Sequence, residues 1–221
     1  MRTLATLAIV AFAAAAPAVR ADEVTVPPAS SAPVPQGAYR IDKAHTSLLF
    51  KVNHLGFSTF TGRFTRVDAK LAFDPRHLGG SSVNVTIDPA SISADNAPAG
   101  FLDQLAGGMF LDAAKYPDMK YASRVVEDTG DGHFRIRGEL TLHGVTKPVT
   151  LEGRYNGGYA GHPFDPNARV GFSARGTLKR SDFGISMGIP SAANHFFGVG
   201  DDVEVQLETE FSGPALQVAA R

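Results

Sequence analysis

From Tyr39 to about Gly213 apolar and polar residues alternate, the period-two signature of strands with one buried face. Leu48, Phe50 and Val52 share a face opposite Lys51 and Asn53. Val67, Ala69, Leu71 and Phe73 oppose Asp68 and Lys70, and Val83, Val85 and Ile87 oppose Asn84, Thr86 and Asp88. Phe134, Ile136, Gly138, Leu140 and Leu142 oppose Arg135, Arg137, Glu139 and Thr141. Val149, Leu151 and Tyr155 oppose Glu152 and Arg154, and Val170, Phe172, Ala174 and Leu178 oppose Arg175, Thr177 and Lys179. Val203, Val205, Leu207 and Phe211 complete the rhythm against Glu204, Gln206, Glu208 and Glu210. The less regular stretch Met119 to Glu127, with Tyr121 and Val125 inward, makes an eighth strand.

Turn signals separate these runs: Asp74-Pro75, Asp88-Pro89, Asp128 to Gly132, Gly144 to Pro148 and Asn156 to Gly161. Only Ala97 to Ala114 departs from the alternation. Leu102, Leu105, Met109 and Phe110 there predict one short amphipathic helix, near 98–112, weakened by Gly107-Gly108. Consecutive one-sided strands with short links imply an all-β, eight-stranded antiparallel up-and-down barrel over 38–213, since closure removes exposed sheet edges. Such a barrel is either filled by its own side chains or holds one small ligand.

Small residues on the inner parity, Ala69, Gly138, Gly153, Ala174 and Gly176, argue for unfilled volume. The predicted wall is Leu48, Phe50, Val52, Phe64, Leu71, Phe73, Val83, Val85, Ile87, Leu105, Phe110, Tyr121, Ile136, Leu140, Leu142, Phe172 and Phe183. Such a cavity would stay dry and accept an apolar ligand. The alternative is that the fifteen phenylalanines close the gaps and leave a filled core.

Composition narrows the chemistry. With no cysteine there is no disulfide, thiolate metal site, haem attachment, cysteine nucleophile or lipid-anchored cysteine. Met1-Arg2, the apolar run Leu4 to Ala16 and Val19-Arg20-Ala21 read as a signal peptide over 1–21, which predicts a soluble periplasmic product. A Pro/Ala/Ser-rich linker, 22–37, precedes the barrel and a short tail, 214–221, follows it. Loss of Arg2 and Arg20 takes the formal charge from −1 to about −3, which argues against nucleic acid as a partner.

Gly184-Ile185-Ser186-Met187-Gly188 matches the G-x-S-x-G nucleophile pattern, but Pro190 follows and no helix succeeds it, so a loop between the last two strands is expected. The histidines show no metal-ligand spacing, and no metal or catalytic residue is predicted. His54 shares the inward parity of Leu48, so it and Arg180 are candidates for a ligand's polar head. His45, Arg180 and Asp182, near turns, read equally as a corner salt bridge.

Particular segments resemble one family. His45-Thr46-Ser47-Leu48-Leu49-Phe50-Lys51-Val52-Asn53-His54-Leu55-Gly56 with Gly62-Arg63-Phe64 resembles the opening of YceI-like proteins, bacterial periplasmic polyisoprenoid-binding barrels. Phe110-Leu111-Asp112 through Tyr116-Pro117, Gly138 to Val149, Gly171 to Ala174 with Lys179 to Ile185, and Val199 to Val203 agree in order and spacing. The resemblance implies a lipocalin-like barrel holding an isoprenoid lipid or quinone, with no cofactor required. It departs at Phe101-Leu102-Asp103-Gln104, where relatives often carry charged and histidine residues. The expected partners are a long-chain lipid and, transiently, a membrane; a homodimer is compatible with the pattern. Two other readings stay open: a small catalytic barrel acting on an apolar substrate, and a structural barrel with a filled core.

Overall fold

The computed structural model describes residues 33–161, 164–190 and 198–215. The expected signal peptide lies outside these residues, as do most of the linker and of the tail. One sheet runs β1 (Gly37–His54), β2 (Ser58–Phe64), β3 (Val67–Phe73), β4 (Ser82–Ile87), β5 (Ile92–Ser93), β6 (Met119–Gly130), β7 (His133–Leu142), β8 (Val145–Tyr159), β9 (Asn167–Lys179) and β10 (Val199–Ala215). The pairings are antiparallel, most neighbours follow chain order, and β10 closes back onto β1 from Arg40↔Ser212 to His54↔Val199. β2 and β3 lie in line along one side of β1, and β5 adds only two residues to β2. The wall therefore has eight strands, as the alternation predicted.

Outward positions carry charged partners across strands, such as Arg135 with Glu152 (3.0 Å) and Lys179 with Asp202 (2.8 Å). That face is unlike the apolar band of a membrane-spanning barrel. The predicted helix is shorter than expected. α1 covers Phe101–Ala106, and Gly107 ends it in extended backbone; turns continue to Lys115.

Two bulges shift the inward parity where the sequence reads as a straight run. Between Ser123 and Val125 the β6–β7 register slips, so Val126 faces the interior and Val125, expected inward, is exposed. In β1, Asp42 and Ser47 pair with Glu210 and Glu208, so four residues of β1 oppose Thr209 alone. Parity changes across this bulge: Tyr39 and Ile41 point inward before it, Leu48 and Val52 after it.

The inner glycines do not act as empty wall. A Cβ on Gly153 would lie 2.6 Å from the Phe134 ring, and one on Gly138 2.4 Å from Tyr121. Phe50 lies likewise over Gly62 and Tyr39 over Gly213; Leu151 covers Gly176. Rings thus lie against the wall beside residues with no side chain. The volume expected at Gly138, Gly153 and Gly176 is occupied. Replacing Gly153 by Val is expected to drive Phe134 off the wall and to press on the Ser173 carbonyl, 2.7 Å from the added Cβ, at about 1–3 kcal/mol of overpacking. Urea denaturation measures it, and an unchanged midpoint would contradict the packing described.

Candidate functional site

The interior divides along the barrel axis. At one end Phe183 (1 % exposed) and Ile185 pack with Ile87, Met119, Leu140 and Leu142, with Phe110 and Leu111 against them. At the other, Tyr39, Phe73, Val170 and Phe211 form a second cluster, joined by Tyr155 and Phe172. Rings there meet edge to face, Phe73–Phe172 at 5.5 Å and Phe134–Phe172 at 5.9 Å. Between the clusters lies a lumen of about 100 Å³, measured to the centre of a water-sized sphere.

Eight of the predicted wall residues line it: Leu48, Leu71, Phe73, Val83, Val85, Tyr121, Ile136 and Phe172. Val83, Val85, Ile136, Phe172 and Leu207 point inward yet keep part of their surface open. Ala69 and Ala174 also line it, so alanines leave the volume that the inner glycines do not. The structure places the remaining candidates elsewhere. Ile87, Phe110, Leu140, Leu142 and Phe183 build the end cluster. Phe50 and Phe64 stack (5.4 Å) beside Phe60, which meets Phe101 of α1 (5.7 Å). Val52 is buried further along the same strand, and Leu105 is half-buried in α1.

Sequence pattern misses Ile41, Thr46, Val126 and Thr209. The two bulges hide the first three, and Thr209 is a polar residue on an inward position. Phe134, Leu151 and Leu207 carry the right parity, and that signal could have found them.

Among the described residues, no carboxylate, imidazole or amine lines the lumen. Three of its hydroxyls turn back to the wall. Thr46 Oγ1 donates to Asp42 O (2.7 Å), Thr209 Oγ1 to Phe172 O (3.2 Å), and Tyr121 Oη to Val149 O (3.2 Å). Burial pushes the Tyr121 phenol up to about 12, so it stays neutral. Such a surface offers dispersion contacts and little to hold water.

The two expected head contacts lie apart from the lumen. His54 is exposed at the last position of β1. Arg180 is 7 % exposed, and its guanidinium donates to the carbonyls of Gly200 (2.9 Å), Ile185 (3.2 Å), Met187 (2.7 Å) and Val199 (2.9 Å). The structure thus corrects the reading of Arg180: it clamps the β9–β10 connection, leaving little to offer a ligand. Gly184 to Gly188 is the loop so clamped, with Ser186 exposed on it.

His45 belongs to the β1 bulge, its Nδ1 3.1 Å from Asp42 and 3.8 Å from Glu210. These three residues offer atoms close enough to hold a cation, but Arg169 already binds the Asp42 carboxylate, so the group is an ion-pair network. Asp182 lies exposed in the 3-10 turn that follows β9. The bond with His45 first, then Arg169, lowers the Asp42 carboxyl to about 2 from an ordinary 3.8. A carboxyl depressed on folding stabilises the fold above its ordinary pKa, and that stabilisation fades as pH falls toward the folded value. Asp42→Asn should therefore flatten the loss of stability between about pH 4 and 2. Equal acid slopes for both proteins in stepped-pH urea titrations would refute this.

Fold and lumen together define a hollow up-and-down barrel with an apolar interior site. Its family model is the YceI-like domain, matched over residues 39–211, and the chain belongs to that family. A UPF0312 protein of Vibrio cholerae is 35% identical over 167 residues, covering 76% of this chain and 82% of that protein. A UPF0312 protein of Pseudomonas putida is 38% identical over 151 residues, covering 66% and 76%. Among solved structures, the Campylobacter jejuni YCEI protein aligns with TM-score 0.61 at 28% identity, covering 74% of this chain and 91% of that one. A polyisoprenoid binding domain from Saccharophagus degradans, implicated in plant cell wall breakdown, aligns at 0.57 and 14% identity, covering 81% and 100%; at that identity it attests the fold.

Proposed function

We propose that this barrel binds a long apolar chain, an isoprenoid lipid or isoprenoid quinone, and carries or stores it in the periplasm. The observation that supports this reading is the lumen itself, a wall of aliphatic and aromatic side chains on which the Tyr121 and Thr209 hydroxyls are bonded to backbone. The Saccharophagus domain, which shares the fold, is described as polyisoprenoid-binding, and supplies the ligand class by analogy. Export rests on the run Leu4 to Ala16 behind Arg2. Transfer of hydrocarbon from water gains ~0.8 kcal/mol per CH₂, whereas transfer from a bilayer gains almost nothing. A barrel of this kind exchanges its ligand at a membrane yet retains it in water.

At about 100 Å³ the lumen is small beside ligand pockets of roughly 300–1,000 Å³. A long chain enters by turning rings such as Phe172 and Phe73 aside. Binding, rather than catalysis, is the reading favoured by a lining of described residues without carboxylate, imidazole or amine.

Organic extraction of the purified protein followed by mass spectrometry should recover a long-chain apolar molecule. Ala174→Phe, or Ala69→Leu as a milder filling, should lose most of it while unfolding cooperatively. Recovery of nothing from the parent protein, or full loading of both variants, would end the proposal.

For exchange, the end of the barrel bearing the β1–β2 turn and the β9–β10 loop exposes Phe57 (82 %) and Met187 (47 %). Leu55 N donates to Gly198 O (3.0 Å), which ties the two together. Phe57→Asp with Met187→Asp should slow transfer of a fluorescent isoprenoid between vesicles by about ten-fold, as the loss of membrane-inserting apolar side chains would. An unchanged rate would place the contact elsewhere.

A further inference from the structure

β4 and β6 stay together for a short distance. Their ladder runs from Ile87↔Met119 to Asn84↔Ala122, and Val83 N then donates to the Ser123 side chain (2.8 Å). β6 runs on to Gly130, bulged between Ser123 and Val125 and paired there with β7 alone among the described strands. The β3–β4 turn, 74–81, covers the other edge. Its hydrogen bonds are its own: Gly80 N donates to His77 O (2.8 Å) and Ser81 N to Leu78 O (2.9 Å). Arg76 N donates to Asp74 Oδ1 (2.9 Å), and Asp74 N to Ser81 Oγ (3.0 Å). Among the described residues no backbone hydrogen bond joins 74–81 to β6.

Packing holds the turn in place. Leu78 lies half-buried on the cluster of Tyr39 and Phe73. Gly79 comes so close to β6 that a Cβ on it would stand 3.3 Å from Val126 O. A turn bonded only within itself can swing about its two ends as one piece, giving up the apolar contacts of Leu78 and no ladder bond. The lumen meets this turn: Leu78 and Ser81 line it, with Ser82 and Val83 from the start of β4 and Val126 from β6. Ser82 is exposed and paired with Ala72 on the outward parity, so the lumen comes close to the outer face here. From β6 through β7, β8, β9 and β10 to β1, strand is bonded to strand, and widening the lumen there would break ladder bonds.

We propose that the β3–β4 turn is a displaceable plug that sets the length of apolar chain the lumen accepts. A short chain lies in the closed lumen; a longer one pushes Leu78 aside and passes between the turn and β6. The assignment rests on the lipid-binding reading above. It makes Leu78 the specificity-determining residue, because the lumen yields there without loss of strand pairing, and it gives a lumen of about 100 Å³ the means to lengthen.

Displacement of an apolar fluorescent dye tests it, with geraniol and geranylgeraniol as probes of one chemistry and different length. Leu78→Cys with Val126→Cys can be bridged by a short bis-methanethiosulfonate and freed again by dithiothreitol, and the chain has no cysteine to interfere. Bridged and freed forms should bind geraniol equally. Bridging should weaken geranylgeraniol about ten-fold, the cost of leaving roughly two CH₂ groups in water. Gly79, whose backbone lies outside the left-handed region, accepts a side chain; Gly79→Val should hold the turn off Val126 and tighten geranylgeraniol about three-fold, as a lumen opened in advance would. Geranylgeraniol bound alike by the bridged and freed forms, or both alcohols weakened alike by the bridge, overturns the plug and leaves the lumen reading standing. A Gly79→Val protein that binds as the parent does has the same consequence. If neither alcohol displaces the dye from the parent protein, the lumen reading falls and the plug with it.

Discussion

A closed eight-stranded sheet must dispose of a full set of inward side chains in a narrow interior, and the way it does so decides whether anything else can enter. Here the constraint is met by laying rings along the wall. Phe134 covers Gly153, Tyr121 covers Gly138 and Phe50 covers Gly62, each in a place where a Cβ would collide. A ring whose end sits over backbone contributes apolar surface beside the wall. The alanines Ala69 and Ala174 then leave a free volume that glycine, so covered, does not. Lumen, end clusters and the apolar character of the site all follow from that arrangement.

Between β1 and the β2–β3 line the ladder is interrupted, from Leu48↔Phe64 to Arg40↔Lys70. A strand pair is given up only where its N–H and C=O groups find other partners. On the β1 side the Asp42 carboxylate accepts from Ala44 N and its carbonyl from Thr46 Oγ1, while Ser91 and Asp88 extend the edges of β2 and β3 that face β5 and β4. The barrel stays closed through β10 across this interruption.

Much of this is legible in the chain. Alternation from Tyr39 onward marks eight strands, and the family resemblance agrees with the match over residues 39–211. Leu71, Val85 and Ile136 fall on the lumen as expected because they lie in unbroken runs, where parity carries from one residue to the next. Val125 breaks the expectation because an extra residue beside it turns the strand over. Leu140 and Leu142 depart from the expected lumen wall for another reason. Parity says inward, but not how far along the axis a residue sits, so the end cluster and the lumen look alike in sequence. Arg180 is conspicuous as a charge near a turn, yet its four carbonyl partners come from residues up to twenty positions away.

The chain by itself determined the fold class and the inward face of most strands, because period-two burial is a local property written into neighbouring residues. Tertiary structure decided where the interior is filled and where it is open. Whether a glycine leaves a hole depends on a ring from another strand, and whether Arg180 is free depends on carbonyls up to twenty positions along the chain. Those are long-range coincidences of shape, and no local pattern records them.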